Sequence, residues 1–246
     1  MGHAGRERLL ADLRRRIDGL EGRRTGPEGV LPFGIPDLDA HLPGGGLALG
    51  ALHEILEEGE HAALAALFVA GILARRPGPV LWCLARRDLF APALAGVGLH
   101  PDRVLYAETG RAAGVLAAME EGLRHAGLAG VVGETERLPL TPSRRLLLAA
   151  EGSGVPAFAV RRGRGPLEPN AAVTRWRVAP APSAPVPAGL GPARWRLELV
   201  RARGAEPRAW LVRAPDAAGR LAPSPDLADG PRPQERGDRP RRAAAR

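Results

Sequence analysis

Apolar and polar positions change period along the chain, and the changes divide it into parts. Leu9, Leu10, Leu13, Ile17 and Leu20 recur at helical spacing with Arg14, Arg15 and Arg16 on the other faces, so residues 6–21 read as a basic amphipathic helix. Gly22 to Gly29 reads as a linker, and Val30 to Leu42 as a turn with one short helix that Asp37 would cap. The cluster Gly44-Gly45-Gly46 then leads into an apolar run ending at Leu56, which predicts a turn feeding a buried strand. Glu57 to His61 reads as a loop, and Ala62 to Ala74 as a helix that is apolar on every side. Further strands are predicted at Val80–Leu84, Val104–Ala107, Leu128–Glu134 and Val155–Arg161. Helices separate them at Phe90–Val97, at Arg111–Ala126 and, capped by Thr141, at Pro142–Glu151. Strands alternating with helices in this way predict an α/β domain with a mostly parallel sheet flanked by helices.

After Arg161 the helices stop. A Gly/Pro/Arg loop from Arg162 to Asn170 leads to Ala172–Val178, a Pro/Ala stretch runs from Ala179 to Pro192, and Arg194–Arg203 and Ala209–Val212 follow. These runs alternate in polarity and predict antiparallel strands added to the C-terminal end of the sheet. In Arg175-Trp176-Arg177 and Arg194-Trp195-Arg196 the period of two sends each tryptophan to one side and its arginines to the other. That predicts Trp176 and Trp195 in the core and a basic outer face of Arg175, Arg177, Arg194 and Arg196. The expected organisation is an N-terminal helix over 1–25, one domain over 26–213, and a disordered Arg/Pro-rich tail over 214–246.

Composition narrows the chemistry. The chain contains no lysine, so all 35 basic residues are arginine and no lysine nucleophile or phosphate-binding lysine exists. The formal net charge of +8 is uneven: residues 161–213 hold 11 arginines against 3 acids, whereas 26–160 hold 10 against 15. A basic later half favours a polyanion or an acidic protein as partner. Cys83 is the only cysteine and reads as a small core residue, so no disulfide framework or cysteine-based metal site is expected. No run approaches about 18 consecutive apolar residues, which predicts a cytoplasmic protein with no membrane contact.

The strand, loop and helix over 52–74 have the layout of a phosphate-binding loop. A working loop needs G-x-x-x-x-G-K-[ST], because backbone N–H groups cradle phosphates while the lysine and hydroxyl reach the terminal phosphate and its magnesium. Here the stretch reads Glu57-Glu58-Gly59-Glu60-His61-Ala62-Ala63-Leu64, and its carboxylates would repel a triphosphate. No H-E-x-x-H or other metal constellation is present, so no metal or cofactor is expected. Glu134, at a strand end beside the presumptive switch point of the sheet, is the carboxylate placed where ligands usually bind. The residues support a protein that is not an enzyme.

Leu42 to Leu56 resembles the glycine-rich turn and first strand of RecA-type ATPase domains, and Ala85 to Leu105 the second strand–helix–strand unit. Leu128 to Pro142 looks like the strand carrying the magnesium-linked acid, and Phe158 to Val178 like the strand, DNA-facing loop and returning strand. Within that fold the chain looks like a member of the ImuA family of translesion-synthesis accessory proteins. Its departures from RecA are Ala62, Ala63 and Leu64 at the Gly-Lys-Thr positions and Arg86 at the position of the catalytic glutamate. The resemblance therefore implies an ATPase-dead adaptor in SOS-induced, error-prone translesion DNA synthesis, associated with the nucleoid under DNA damage. It implies an ImuB-type inactive Y-family polymerase relative and an error-prone C-family DNA polymerase as partners, with RecA recombinase and DNA as further expectations. Arg161, Arg162, Arg164, Arg175, Arg177, Arg194, Arg196, Arg201 and Arg203 are the candidate DNA or partner contacts. The competing reading is an SulA-like cell-division inhibitor that binds a tubulin-like protein.

Overall fold

The apolar run after the glycine cluster forms two strands rather than one. In the computed structural model, Pro43–Gly45 makes a tight turn with Gly44 and Gly45 at positive φ (74° and 84°), a backbone only glycine adopts without strain. Strand β2 (Leu47–Ala48) pairs antiparallel with β1 (Val30–Leu31), and the chain then bends into β3 (Leu52–Glu57). His53 explains the bend, because its Nε2 lies 2.8 Å from the Ala48 carbonyl and its Nδ1 2.8 Å from Thr174 Oγ1. Trp176 Nε1 donates to the same hydroxyl, and the Ala48 carbonyl can only accept, so His53 Nε2–H donates to it. Burial holds the His53 pKa down at about 4, which keeps the ring neutral and leaves Nδ1 to accept from the Thr174 hydroxyl.

The structure describes residues 29–57, 63–86, 88–163, 167–183 and 191–224. The expected helix at 6–21 lies outside these residues, as do Glu58 to Ala62 of the loop. After β1 comes helix α1 (Pro36–His41), whose expected Asp37 cap is not made. Asp39 instead accepts from the backbone N–H groups of Phe33, Gly34 and Ile35, while Asp37 reaches Arg208 and Trp210 Nε1. Then follow α2 (Ala63–Ala74), β4 (Val80–Leu84), α3 (Ala91–Gly96), β5 (Val104–Glu108), α4 (Ala112–Gly122) and β6 (Gly130–Thr135). Helix α5 (Leu140–Ser153) starts before Thr141, with Pro139 as its first flanking residue, so Thr141 is not a cap. Strands β7 (Ala157–Arg161), β8 (Thr174–Ala181), β9 (Arg194–Ala202), β10 (Arg208–Arg213) and β11 (Ala222–Pro223) complete the order.

Among the described residues nine strands form one sheet in the order β11-β10-β9-β8-β3-β7-β6-β4-β5. The pairs among β5, β4, β6, β7, β3 and β8 are parallel, and β8 to β11 are antiparallel. The predicted α/β class and its antiparallel extension are both found. One side of the sheet packs on α1 and α2 through Phe33, Phe68, Trp82, Phe158, Trp176, Trp195 and Trp210. The other side packs on α4 and α5 through Leu52, Cys83, Val115, Met119, Val131, Leu146 and Ala157. Burial pushes the Cys83 thiol up to about 12, so it behaves as a small core residue.

Helix α2 is apolar on all sides because it is enclosed on all sides. It lies between the sheet and a return segment after β10, where a Cβ on Gly219 (φ 72°) would fall 2.3 Å from the Gly71 carbonyl oxygen. Asp216 closes that return by accepting from the backbone N–H groups of Ala218 and Arg220. The fold therefore continues past residue 213, where the tail was expected to begin, through β11 to Ser224. Among the described residues no helix is long and apolar enough to cross a membrane.

Candidate functional site

Parallel strands open a crevice at their carboxyl ends wherever consecutive connections leave in opposite directions. Here β4, β5, β6 and β7 end together, and Ala85, Arg86, Asp88, Gly110, Arg111, Ala112, Glu134, Thr135, Glu136 and Arg162 line a cleft of about 490 Å³. Period-two alternation sends Ile55 and Glu57 of β3, Val132 and Glu134 of β6, and Val160 of β7 to the α2 side. Arg162, the residue after β7, continues that side, so its guanidinium meets the carboxylates at the ends of the neighbouring strands.

Arg162 Nη2 pairs with Glu134 Oε2, Nη1 lies 2.6 Å from Asp88 Oδ2, and Nε lies 3.9 Å from Glu57 Oε1. Glu134 Oε1 accepts from Trp82 Nε1 at 2.7 Å, so both oxygens of this buried carboxylate are used. Burial pushes the Glu134 pKa up, and Arg162 and the Trp82 hydrogen bond only partly reverse it. Glu57 is driven to about 7 by burial; Arg162 pulls it down while Glu134 and Asp88 push it up. For Arg162 burial opposes the charge, but Glu134, Asp88 and Glu57 outweigh it and the pKa is raised. Glu57 Oε1 and Arg162 Nε are buried without a hydrogen-bond partner among the described residues. One guanidinium thus holds three carboxylates at the carboxyl ends of the parallel strands.

The other predicted positions fall around this knot. Ala63 and Leu64 begin α2 and bring no charge or hydroxyl to the cleft. Arg86 is exposed on the cleft wall. No group of three or more His, Cys, Asp or Glu among the described residues could hold a metal ion.

The arginines assigned to a polyanion surface are not one surface. The alternation holds, with Trp176 and Trp195 buried on the α2 side, but Arg175 and Arg194 are buried too. Arg175 Nε lies 2.5 Å from Glu54 Oε2, Arg161 Nη1 lies 3.6 Å from Glu54 Oε1, and Asn170 Nδ2 donates to Glu54 at 2.8 Å. Arg161 also donates to the Glu136 carbonyl, and Arg175 to that of Glu168. Arg201 donates to Asn170 Oδ1 and the Ala172 carbonyl, and Arg203 to that of Ala171. Arg175, Arg201 and Arg203 therefore clamp the loop before β8 against the sheet, and Arg161 ties the segment after β6 to β3. The expected outer face is reduced to exposed Arg196 and half-buried Arg177, which pairs with Glu198 at 3.0 Å; Arg164 lies outside the described residues.

Sequence reasoning passed over His53, Glu54, Trp82 and Asp88. The signal for Glu54 was present, since two polar residues inside Leu52-His53-Glu54-Ile55-Leu56 of a doubly covered strand must find partners.

No family model matches the chain. Two proteins named ImuA, from Caulobacter vibrioides strains NA1000 / CB15N and ATCC 19089 / CIP 103742 / CB 15, are each 42% identical to it over 214 residues. Each alignment covers 80% of this chain and 87% of the relative. Among solved structures, that of the RadB recombinase matches with a TM-score of 0.56 at 16% identity, over 79% of this chain and 100% of RadB. At that identity the likeness shows the fold alone, and the fold is RecA-like. Identity of 42% over 80% of its length carries the rest, and the chain belongs to the ImuA family.

Proposed function

We propose that this chain is a non-catalytic adaptor in SOS-induced, error-prone translesion DNA synthesis, built on a RecA-like domain that has lost ATP hydrolysis. The observation that carries the loss is Arg162. Phosphoryl transfer in this fold needs a lysine on the phosphates and a strand-end acid free to hold the magnesium shell. Here the strand-end acid, Glu134, is neutralised by the chain's own guanidinium and a tryptophan N–H. Neither oxygen of Glu134 is left for a magnesium shell, and α2 begins with Ala63 and Leu64, which offer no charge to a triphosphate. Titration of the full chain with magnesium–ATP is expected to give no saturable binding and no turnover. Saturable binding with hydrolysis would overturn this half of the reading.

A RecA-like domain without its fuel site still offers surfaces. Membership of the ImuA family supports the reading that they gather an ImuB-type inactive Y-family polymerase relative and an error-prone C-family polymerase, with RecA recombinase and DNA as further contacts, at the nucleoid of damaged cells. The test is a tagged pull-down from cells treated with a DNA-damaging agent. Recovery of the Y-family relative is expected, and recovery of neither it nor a recombinase would remove the adaptor role.

A further inference from the structure

The tryptophans and the fully buried aliphatics of the antiparallel extension lie on the α1–α2 side of the sheet: Trp176 and Val178 of β8, Trp195, Leu197 and Leu199 of β9, and Trp210 and Val212 of β10. The alternate residues face the other way, over the side that α4 and α5 cover farther along the sheet. Those helices pack against β3, β4, β6 and β7, and among the described residues no helix covers the extension beside them, where Arg194 at one end is buried. Arg196, Ala209 and Arg213 are exposed there, and Arg177, Ala179, Glu198 and Leu211 half-buried.

Register arranges these residues in rows across the strands. One row is Ala179–Arg196–Leu211, the next is Arg177–Glu198–Ala209, and Arg194 stands opposite Arg213 on the far side of the first. The floor is therefore aliphatic and cationic by turns, with one acid that Arg177 already neutralises. Along one side it is bounded by the loop clamped by Arg175, Arg201 and Arg203, and Leu167 of that loop is 44% exposed. The result is a shallow step with a fixed wall.

We propose that this floor docks an acidic amphipathic helix of a partner protein. Elsewhere in the molecule the same sheet is covered by helices, and a helix with apolar residues on one stripe and carboxylates on its flanks satisfies both kinds of floor residue. A phosphodiester backbone would use the arginines but not Ala179, Ala209 and Leu211, and would meet the Glu198 carboxylate. Single-stranded bases would need an aromatic platform, and Trp176, Trp195 and Trp210 all face the core. The chain's own ends have the wrong sign: residues 1–25 hold 7 arginines against 4 acids, and 229–246 hold 6 against 3. The proposal rests on the adaptor reading and adds the chemistry of the partner.

The test uses the full chain and fluorescein-labelled synthetic helices of about 15 residues, long enough to cross the three strands. One carries a leucine stripe flanked by glutamates, and its counterpart has lysines at the same positions. The acidic helix is expected to bind, and the basic one not. Arg196→Glu should weaken the acidic helix about tenfold and Leu211→Ser at least threefold, whereas Arg124→Glu, exposed in the turn after α4, should change nothing. Circular dichroism checks that these surface variants remain folded. No binding, equal binding of both helices, or binding indifferent to both Arg196 and Leu211 overturns the proposal. Loss of duplex DNA binding on Arg196→Glu with no effect on the helix assigns the floor to DNA and overturns it too. So does self-association that disappears with the same substitution. If the helix fails while the pull-down recovers its partner, only the floor assignment falls; if the helix binds and the pull-down recovers nothing, the adaptor role falls instead.

Discussion

Arg162→Ala is expected to destabilise the protein by about 2 kcal/mol near neutral pH and to make its stability depend strongly on pH. The magnitude is set below the roughly 3–5 kcal/mol for breaking a fully buried pair, because the Arg162 side chain is 31% exposed. The pH dependence follows from the carboxylates left behind. Glu57 already sits at about 7 in the folded chain, above its ordinary value of 4.5. An acid raised by folding contributes stability that is present below its unfolded pKa and is lost as pH rises through the folded one. Wild-type protein should therefore lose some stability between about 4.5 and about 7 from this residue alone. Without Arg162, Glu57, Glu134 and Asp88 face one another with no counter-charge, so the loss becomes steeper and extends to higher pH. Urea unfolding of both proteins at pH 5.5 and pH 8 measures it. A variant equally destabilised at both values would mean that Arg162 contributes packing, and the account of the closed site would fail.

Glu54→Ala is expected to cost about 3–5 kcal/mol, since it strands the guanidinium groups of Arg161 and Arg175 in the interior. Glu54 is fully buried, and its partners reach it from β7, from β8 and, through Asn170, from the loop before β8. Its loss should loosen that loop before the sheet melts, and protease sensitivity within residues 162–172 should rise at urea concentrations that leave the remainder folded. Replacing the pair by Glu54→Leu with Arg175→Leu should recover part of the stability, because two apolar residues leave fewer charges unbalanced than one orphan. An unaltered cleavage pattern in Glu54→Ala would show that the network does not hold the loop. Loosening it should also weaken the docking floor, whose wall this loop forms.

The RecA-like order of strands and helices was legible because it depends on local period. Short apolar runs such as Val80–Leu84, bounded by turn residues, suit strands covered on both sides, and Arg-Trp-Arg alternation allowed the tryptophans to be assigned to the core. Errors came where a partner distant in sequence decided the outcome. Asp37 falls inside α1 rather than at its cap, Arg208 and Trp210 draw it to β10, and Asp39 accepts from the backbone N–H groups ahead of the helix. The apolar run to Leu56 gives no sign that His53 folds it back on Ala48. The return after β10 has little periodicity of its own and is held by its contact with α2.

Sequence alone determined the absence of lysine, the acidic loop from Glu57 to Glu60, and the basic excess after Arg161, and these suffice to argue against a working triphosphate site. It could not say what those arginines do, because a side chain's charge is local while its environment is not. Only the tertiary structure decided that Arg162 fills the acid cluster, that Arg175 and Arg194 are buried, and that Arg196 is left facing solvent. The physical reason is burial: an arginine in water attracts any polyanion, whereas one taken into the fold must be matched by the chain's own carboxylates and carbonyls. Which arginines are taken in depends on strand register and on a loop lying across the sheet, and neither is written in the residues themselves.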